Sequence, residues 1–206
     1  MPPKKNKTLF LTYQNLSRRY GAEWALKEAS GELFENEIVA LEGENGSGKS
    51  TLLLTLAGIL RPHKGAIAFH NTSAHLVAHH PMAYIALSIE RNLALAHAID
   101  KNARHSLDAT MEFWQIAPLK AKALSSLSRG QMQRFLLARS MLTSSRVLLL
   151  DEPFTGLDVH GEKLLEEFIR SEAARGVAVL FSDHDHARAQ KLATRTIRMK
   201  AGRCIS

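Results

Sequence analysis

The chain has 206 residues, with 27 Lys and Arg against 20 Asp and Glu and a formal net charge of +7 when His is neutral. At 45% hydrophobic and 23% charged residues its composition is that of a globular protein, which excludes disordered, collagen-like and disulfide-scaffold classes. The single cysteine, Cys204, cannot form an internal disulfide, and no apolar run approaches the ~18 residues that span a bilayer.

The length fits one domain with room for an inserted lobe. The basic stretch 1–7 is not followed by an apolar core with a small-residue cleavage site, so neither a signal peptide nor a membrane anchor is expected. The positive balance fits an anionic ligand, a membrane surface or nucleic acid, and charge alone does not choose among them.

In chain order, residues 9–16 and 24–33 read as edge strands. Ile38–Glu42 is a short apolar strand. Directly after it, Gly43-Glu44-Asn45-Gly46-Ser47-Gly48-Lys49-Ser50 fits G-x-x-x-x-G-K-[ST], and a helix over 49–60 follows with Leu52, Leu53, Leu56, Ile59 and Leu60 on one stripe. The glycines let backbone N–H groups close on phosphate oxygens. Lys49 can reach the terminal phosphates, the Ser50 hydroxyl can ligate Mg²⁺, and the helix N-terminus adds partial positive charge.

Strands are expected at 65–69 and 75–79. From 82 to 145 helical periodicity dominates, with helices expected at 89–97, 102–115 and 131–142. An all-helical stretch inside an α/β chain reads as an inserted subdomain. Within it, Ser128 followed by Gln131 is a capping box, and the same helix start can bind an anion.

Val147–Leu150 is apolar throughout, as in a strand buried on both faces, and ends in Asp151 and Glu152. Asp151 sits where open α/β sheets bind ligands and can hold Mg²⁺ through water. Glu152 can polarise a water against a terminal phosphate. A helix over 162–174, a strand over 177–181 and a final strand over 195–199 complete the pattern. Alternation of Asp183, His184, Asp185 and His186 suits a phosphate contact from His184 better than a transition-metal site.

Taken in this order, the motifs resemble the ATP-binding cassette (ABC) ATPase subunits of membrane transporters, across nearly the whole chain. Residues 43–51, through Thr51, resemble Walker A, 127–131 the signature motif, 147–152 Walker B, Thr155-Gly156-Leu157-Asp158 the D-loop and Ser182-Asp183-His184 the switch-histidine loop. The signature serine, Ser128, precedes Asp151 by 23 residues.

The resemblance implies an α/β fold: a P-loop NTPase core of mostly parallel strands, an antiparallel N-terminal β edge and a helical subdomain. Residues 1–81 and 146–206 would form the core, and 82–145 the subdomain. It implies ATP and Mg²⁺ as cofactors, with Glu152, His184 and Lys49 as catalytic residues. Tyr20 would stack on adenine. Ser128, Gly130, Gln131 and Asp158 would complete the nucleotide site of a second cassette packed head to tail.

The implied partners are that second cassette and integral membrane transporter subunits, with no nucleic acid. The implied location is peripheral, on the cytoplasmic face of the inner membrane. The family's Mg²⁺-facing Gln falls at His80, which would join Ser50 and Asp151 as a metal residue: a neutral imidazole can ligate or hydrogen-bond water, although Mg²⁺ prefers oxygen. Arg129 stands at the second position of the Ser-Gly-Gly-Gln pattern.

The segments 79–81, 88–93 and 151–155 are similar to the haem-exporter ATPase of cytochrome c maturation. That implies an exporter carrying haem or another maturation factor. Other small exporter cassettes share several of these segments. A soluble ABC ATPase acting on nucleic acid or ribosomes is the competing class, supported by the charge alone.

Overall fold

A computed structural model describes residues 7–78 and 82–205, which divide into two compact units. The first comprises residues up to Leu76, Ser145–Glu152 and Ile169 onward; the second comprises Val77–Ser144 and Pro153–Phe168. The second unit thus takes in residues 153–168, beyond the 82–145 span expected of the helical subdomain.

The first unit holds two sheets. Strands β1 (Leu9–Tyr20) and β2 (Glu23–Phe34) form an antiparallel pair, and β4 (Lys64–Phe69) lines the other side of β1, also antiparallel. The expected strand over 65–69 therefore belongs with the N-terminal pair. The second sheet runs β5 (Ala74–Val77), β6 (Val147–Leu150), β7 (Ala178–Ser182), β3 (Ile38–Glu42), β8 (Arg195–Lys200) and β9 (Arg203–Ile205). Strands β6, β7, β3 and β8 are mutually parallel, and β9 returns antiparallel on β8.

Every residue of β3, β6 and β7 is buried. This explains their unbroken apolar runs, since strands covered on both faces leave no position for a solvated side chain. Because β6, β7 and β3 are parallel neighbours, the turns at their carboxyl ends emerge along one edge of the sheet.

Helix α1 spans Lys49–Leu56, four residues shorter than expected. The chain turns at Gly58 (φ +75°), and Ile59 is 47% exposed, so the apolar stripe stops at Leu56. Helix α6 (His186–Leu192) completes the first unit.

The second unit is helical, with α2 (Ile89–Ile99), α3 (Leu107–Phe113) and α4 (Arg129–Met141). Helix α3 begins five residues later than expected. The Asp100 carboxylate accepts the Asn102 N–H at 3.2 Å, an Asx turn that competes with helix, and Ser106 caps α3 by accepting the Ala109 N–H. Helix α5 (Val159–Ala174) carries the boundary between the two units.

The core of this unit centres on Trp114, fully buried, its ring edge-on to Phe113 (5.2 Å) and Phe168 (5.6 Å). Its Nε1–H points at Met141 Sδ, 3.1 Å away. Trp114→Ala is expected to lower unfolding free energy by about 3–5 kcal/mol, read from urea denaturation. A loss under about 1 kcal/mol would mean that neighbouring side chains collapse into the space.

Candidate functional site

The first unit carries a phosphate-type loop built on β3. Gly43 (φ +152°) and Gly48 (φ +106°) adopt backbone angles that side chains rarely take. A Cβ at Gly43 would also collide with the Met199 carbonyl, and one at Gly48 with the Ala25 carbonyl. The loop therefore threads between β8 and β2 only because both residues lack a side chain. Glu44, Asn45 and Gly46 are exposed at its tip, as is Ser50 after it, and Thr51 is half-buried.

Lys49 is buried, and its ammonium folds into the loop, donating to the carbonyls of Gly43 (2.7 Å) and Glu44 (3.1 Å). The N-terminus of α1 has Gly48 at its cap and no side-chain cap hydrogen bond. Ser47 Oγ is buried without a hydrogen-bond partner among the described residues. An uncapped helix start, a buried hydroxyl and an enclosed ammonium together fit an anionic group such as a phosphate.

The second cluster lies at the ends of β6 and β7, whose register sets Leu150 beside Phe181. Asp151 and Ser182 follow at that level. Ser182 Oγ donates to Asp151 Oδ1 and accepts the Glu152 N–H, both at 2.8 Å. Glu152 has φ +47°, which turns the chain away from the strand, and its Oε1 lies 2.5 Å from His184 Nε2.

Asp183 is buried and forms a two-pronged ion pair with Arg188 (2.7 and 2.9 Å). Asp185 caps α6 by accepting the Arg188 N–H at 3.0 Å; that bond, with the Arg188 charge, holds its carboxyl below the usual range. His184 is thus flanked by two anchored carboxylates. Residues 183–185 leave the strand, so the alternation of a β-strand does not apply to them. Sequence reasoning gave Ser182 no role of its own and left Arg188 out; nothing in one sequence marks which polar residue after a strand will bridge.

For a divalent cation, the Ser50 hydroxyl and the Asp151 carboxylate offer hard oxygen donors. No group of three or more His, Cys, Asp or Glu among the described residues could hold a metal ion. That set fits Mg²⁺, which commonly takes one carboxylate and completes its shell from phosphate and water. His80 lies outside the described residues.

The second unit carries Ser128, Gly130, Gln131 and Asp158, and these gather around one opening. Ser128 caps α4 by accepting the Gln131 N–H (3.3 Å), while Gln131 Oε1 accepts the Ser128 N–H (3.1 Å). The capping box is therefore real and occupies the Gln131 side chain. Asp158 Oδ1 accepts from the Gly161 N–H (2.7 Å) and Arg134 (2.8 Å), and these hold its carboxyl below the usual range.

Gly130 packs so closely on the Gly156 carbonyl that a Cβ would stand 2.9 Å from it. Ser128, Gly130, Gln131, Arg134, Gly156 and Asp158 line one cavity of about 350 Å³. Arg134 was missed by the sequence reading, although its place one helical turn after Gly130 on the same helix was a usable signal. Tyr20, the last residue of β1, is 49% exposed, with the Arg18 guanidinium 5.4 Å from its ring.

A family model described as ABC transporter matches residues 26–155. The sulfate/thiosulfate import ATP-binding protein CysA of Thermosynechococcus vestitus is 31% identical over 93% of this chain, which covers 62% of that protein. The chain thus spans less than two thirds of that relative's length. The zinc import ATP-binding protein ZnuC of Pasteurella multocida is 32% identical over 84% of this chain and 66% of its own. A solved ATP-binding subunit of an ABC transporter superposes with a TM-score of 0.88 at 24% identity, covering 96% of this chain and 88% of that one, a likeness of fold.

Proposed function

We propose, since this chain belongs to the ABC transporter family, that it is an ATP-hydrolysing subunit that powers a membrane transporter. The reading is carried by one observation: the Asp151–Ser182–Glu152–His184 hydrogen-bonded chain leaves the same sheet edge as the Gly43–Lys49 loop. Lys49 and the uncapped start of α1 hold phosphate oxygens. Ser50 and Asp151 would hold Mg²⁺, which when bound neutralises phosphate charge. Glu152 takes the proton of, or orients, the attacking water, and His184 steadies its carboxylate. The net reaction is ATP and water to ADP and phosphate.

Two such chains pack head to tail, with Ser128 and Gly130 of one facing the nucleotide held by the other. The cavity beside Asp158 supports this, since it gathers the signature and D-loop residues of the second unit around one opening. Mutating Ser128 to Arg fills that opening. The variant should bind ATP like the wild type, keep the mass of a single chain in ATP, and lose turnover. Normal turnover would leave Ser128 as a helix cap and no more.

No helix among the described residues is long and apolar enough to cross a membrane. On the family reading, the chain acts through integral membrane subunits, on the face of the membrane where ATP is present. Haem export rests on three short segments, one of which lies outside the described residues. The named relatives are import proteins, and none of them bears on haem. What the family supports is transport powered by ATP. Co-purification of the membrane subunit, identified by mass, would name the cargo class.

A further inference from the structure

Strand β3 ends on Glu42, the residue immediately before Gly43 of the phosphate loop. A carboxylate is an unexpected neighbour for a loop that holds anions, because it repels them and loses hydration when buried. Glu42 is only 4% exposed, and its Oε1 has no hydrogen-bond partner among the described residues.

Its Oε2 has two loose neighbours, a guanidinium and an imidazole. Arg198 Nε of β8 lies 3.7 Å away and His186 Nδ1 of α6 lies 3.5 Å away, both beyond a good hydrogen bond. The side chains of Arg198 and His186 are 65% and 68% exposed. Glu42, Arg198 and His186 line a cavity of about 630 Å³ together with residues 43–47 of the loop. The other charges bordering that cavity are Glu44 and Lys200; Lys49 is turned into the loop, toward Gly43 and Glu44.

We propose that Glu42 is a positioning residue that limits how strongly the loop holds phosphate, with Arg198 as its adjustable counter-charge. The inference rests on the nucleotide-binding reading above. A buried fixed charge is poorly screened by salt, so Glu42 weakens the hold on nucleotide in proportion to the ligand's own negative charge. Arg198, half in solvent, offsets part of that repulsion. The arrangement loosens the most highly charged ligand most, and so favours exchange over permanent retention.

The test compares the affinities of the full chain for ATP, ADP and adenosine by calorimetry. Glu42→Gln keeps the shape and removes the charge. It should tighten ATP about three- to tenfold, ADP by less, and adenosine not at all. Glu42→Asp keeps the charge and should stay near wild type.

Arg198→Gln alters a side chain that is 65% exposed, and should weaken ATP more than ADP. The proposal is overturned if Glu42→Gln leaves ATP affinity unchanged or weaker, or shifts adenosine as much as ATP. Should Glu42→Gln fail to fold, an unchanged ATP affinity in Arg198→Gln overturns it. Absence of nucleotide binding by the wild-type chain would instead sink the nucleotide-binding reading itself.

Discussion

Glu152→Gln should abolish most phosphate release while ATP still binds, and should trap a two-chain complex in ATP. The amide preserves the size of the side chain and can still hydrogen-bond His184 Nε2, which lies 2.5 Å from Oε1 in the native protein. What it cannot do is accept a proton at neutral pH. Loss of a positioned base typically lowers rate about a hundred- to ten-thousandfold. The Ser182 bridge to the Glu152 N–H does not involve the side chain, so the strand ends should keep their arrangement. Turnover at the wild-type rate would remove Glu152 from the chemistry, and light scattering in ATP would report the trapped complex.

Lys49→Ala should weaken ATP binding about ten- to a hundredfold, the worth of a charged hydrogen-bond donor to phosphate. Burial makes the effect large, because at 6% exposure the ammonium is not competing with bulk water. The variant also leaves the Gly43 and Glu44 carbonyls without the donor they have now. Calorimetry with ATP gives the affinity, and thermal unfolding separates loss of the ligand contact from loss of the loop. Unchanged affinity with an unchanged melting temperature would make residues 43–50 a turn without a ligand.

Much of this site could be read from the chain alone because its chemistry is local. The Gly43–Ser50 spacing and the acidic end of the 147–150 strand are each contiguous, and each is set by a strand whose burial forces an apolar run. The capping box at Ser128 is likewise a four-residue pattern.

What escaped the sequence is non-local. Whether 65–69 would pair with 9–20 or join the parallel sheet depends on a partner more than forty residues away. Ser182 bridges two residues some thirty positions earlier, and Arg134 reaches Asp158 across 24. Helix ends were misjudged where short-range polar bonds compete with the apolar stripe, as at Asp100–Asn102 before α3. The setting of Glu42 escaped because it too is non-local, its neighbours Arg198 and His186 lying more than 140 residues further along the chain.

The central claim is that a complete site takes its loop from one chain and its signature serine from another. Mixing Lys49→Ala chains with Ser128→Arg chains tests this most directly. Each variant alone should release phosphate slowly, since every site in it lacks one half. In a mixed pair the intact loop of the Ser128→Arg chain meets the intact Ser128 of the Lys49→Ala chain, so one site is whole. The account predicts that the mixture regains turnover well above the sum of the separate variants. A mixture no faster than that sum would contradict a site shared between two chains.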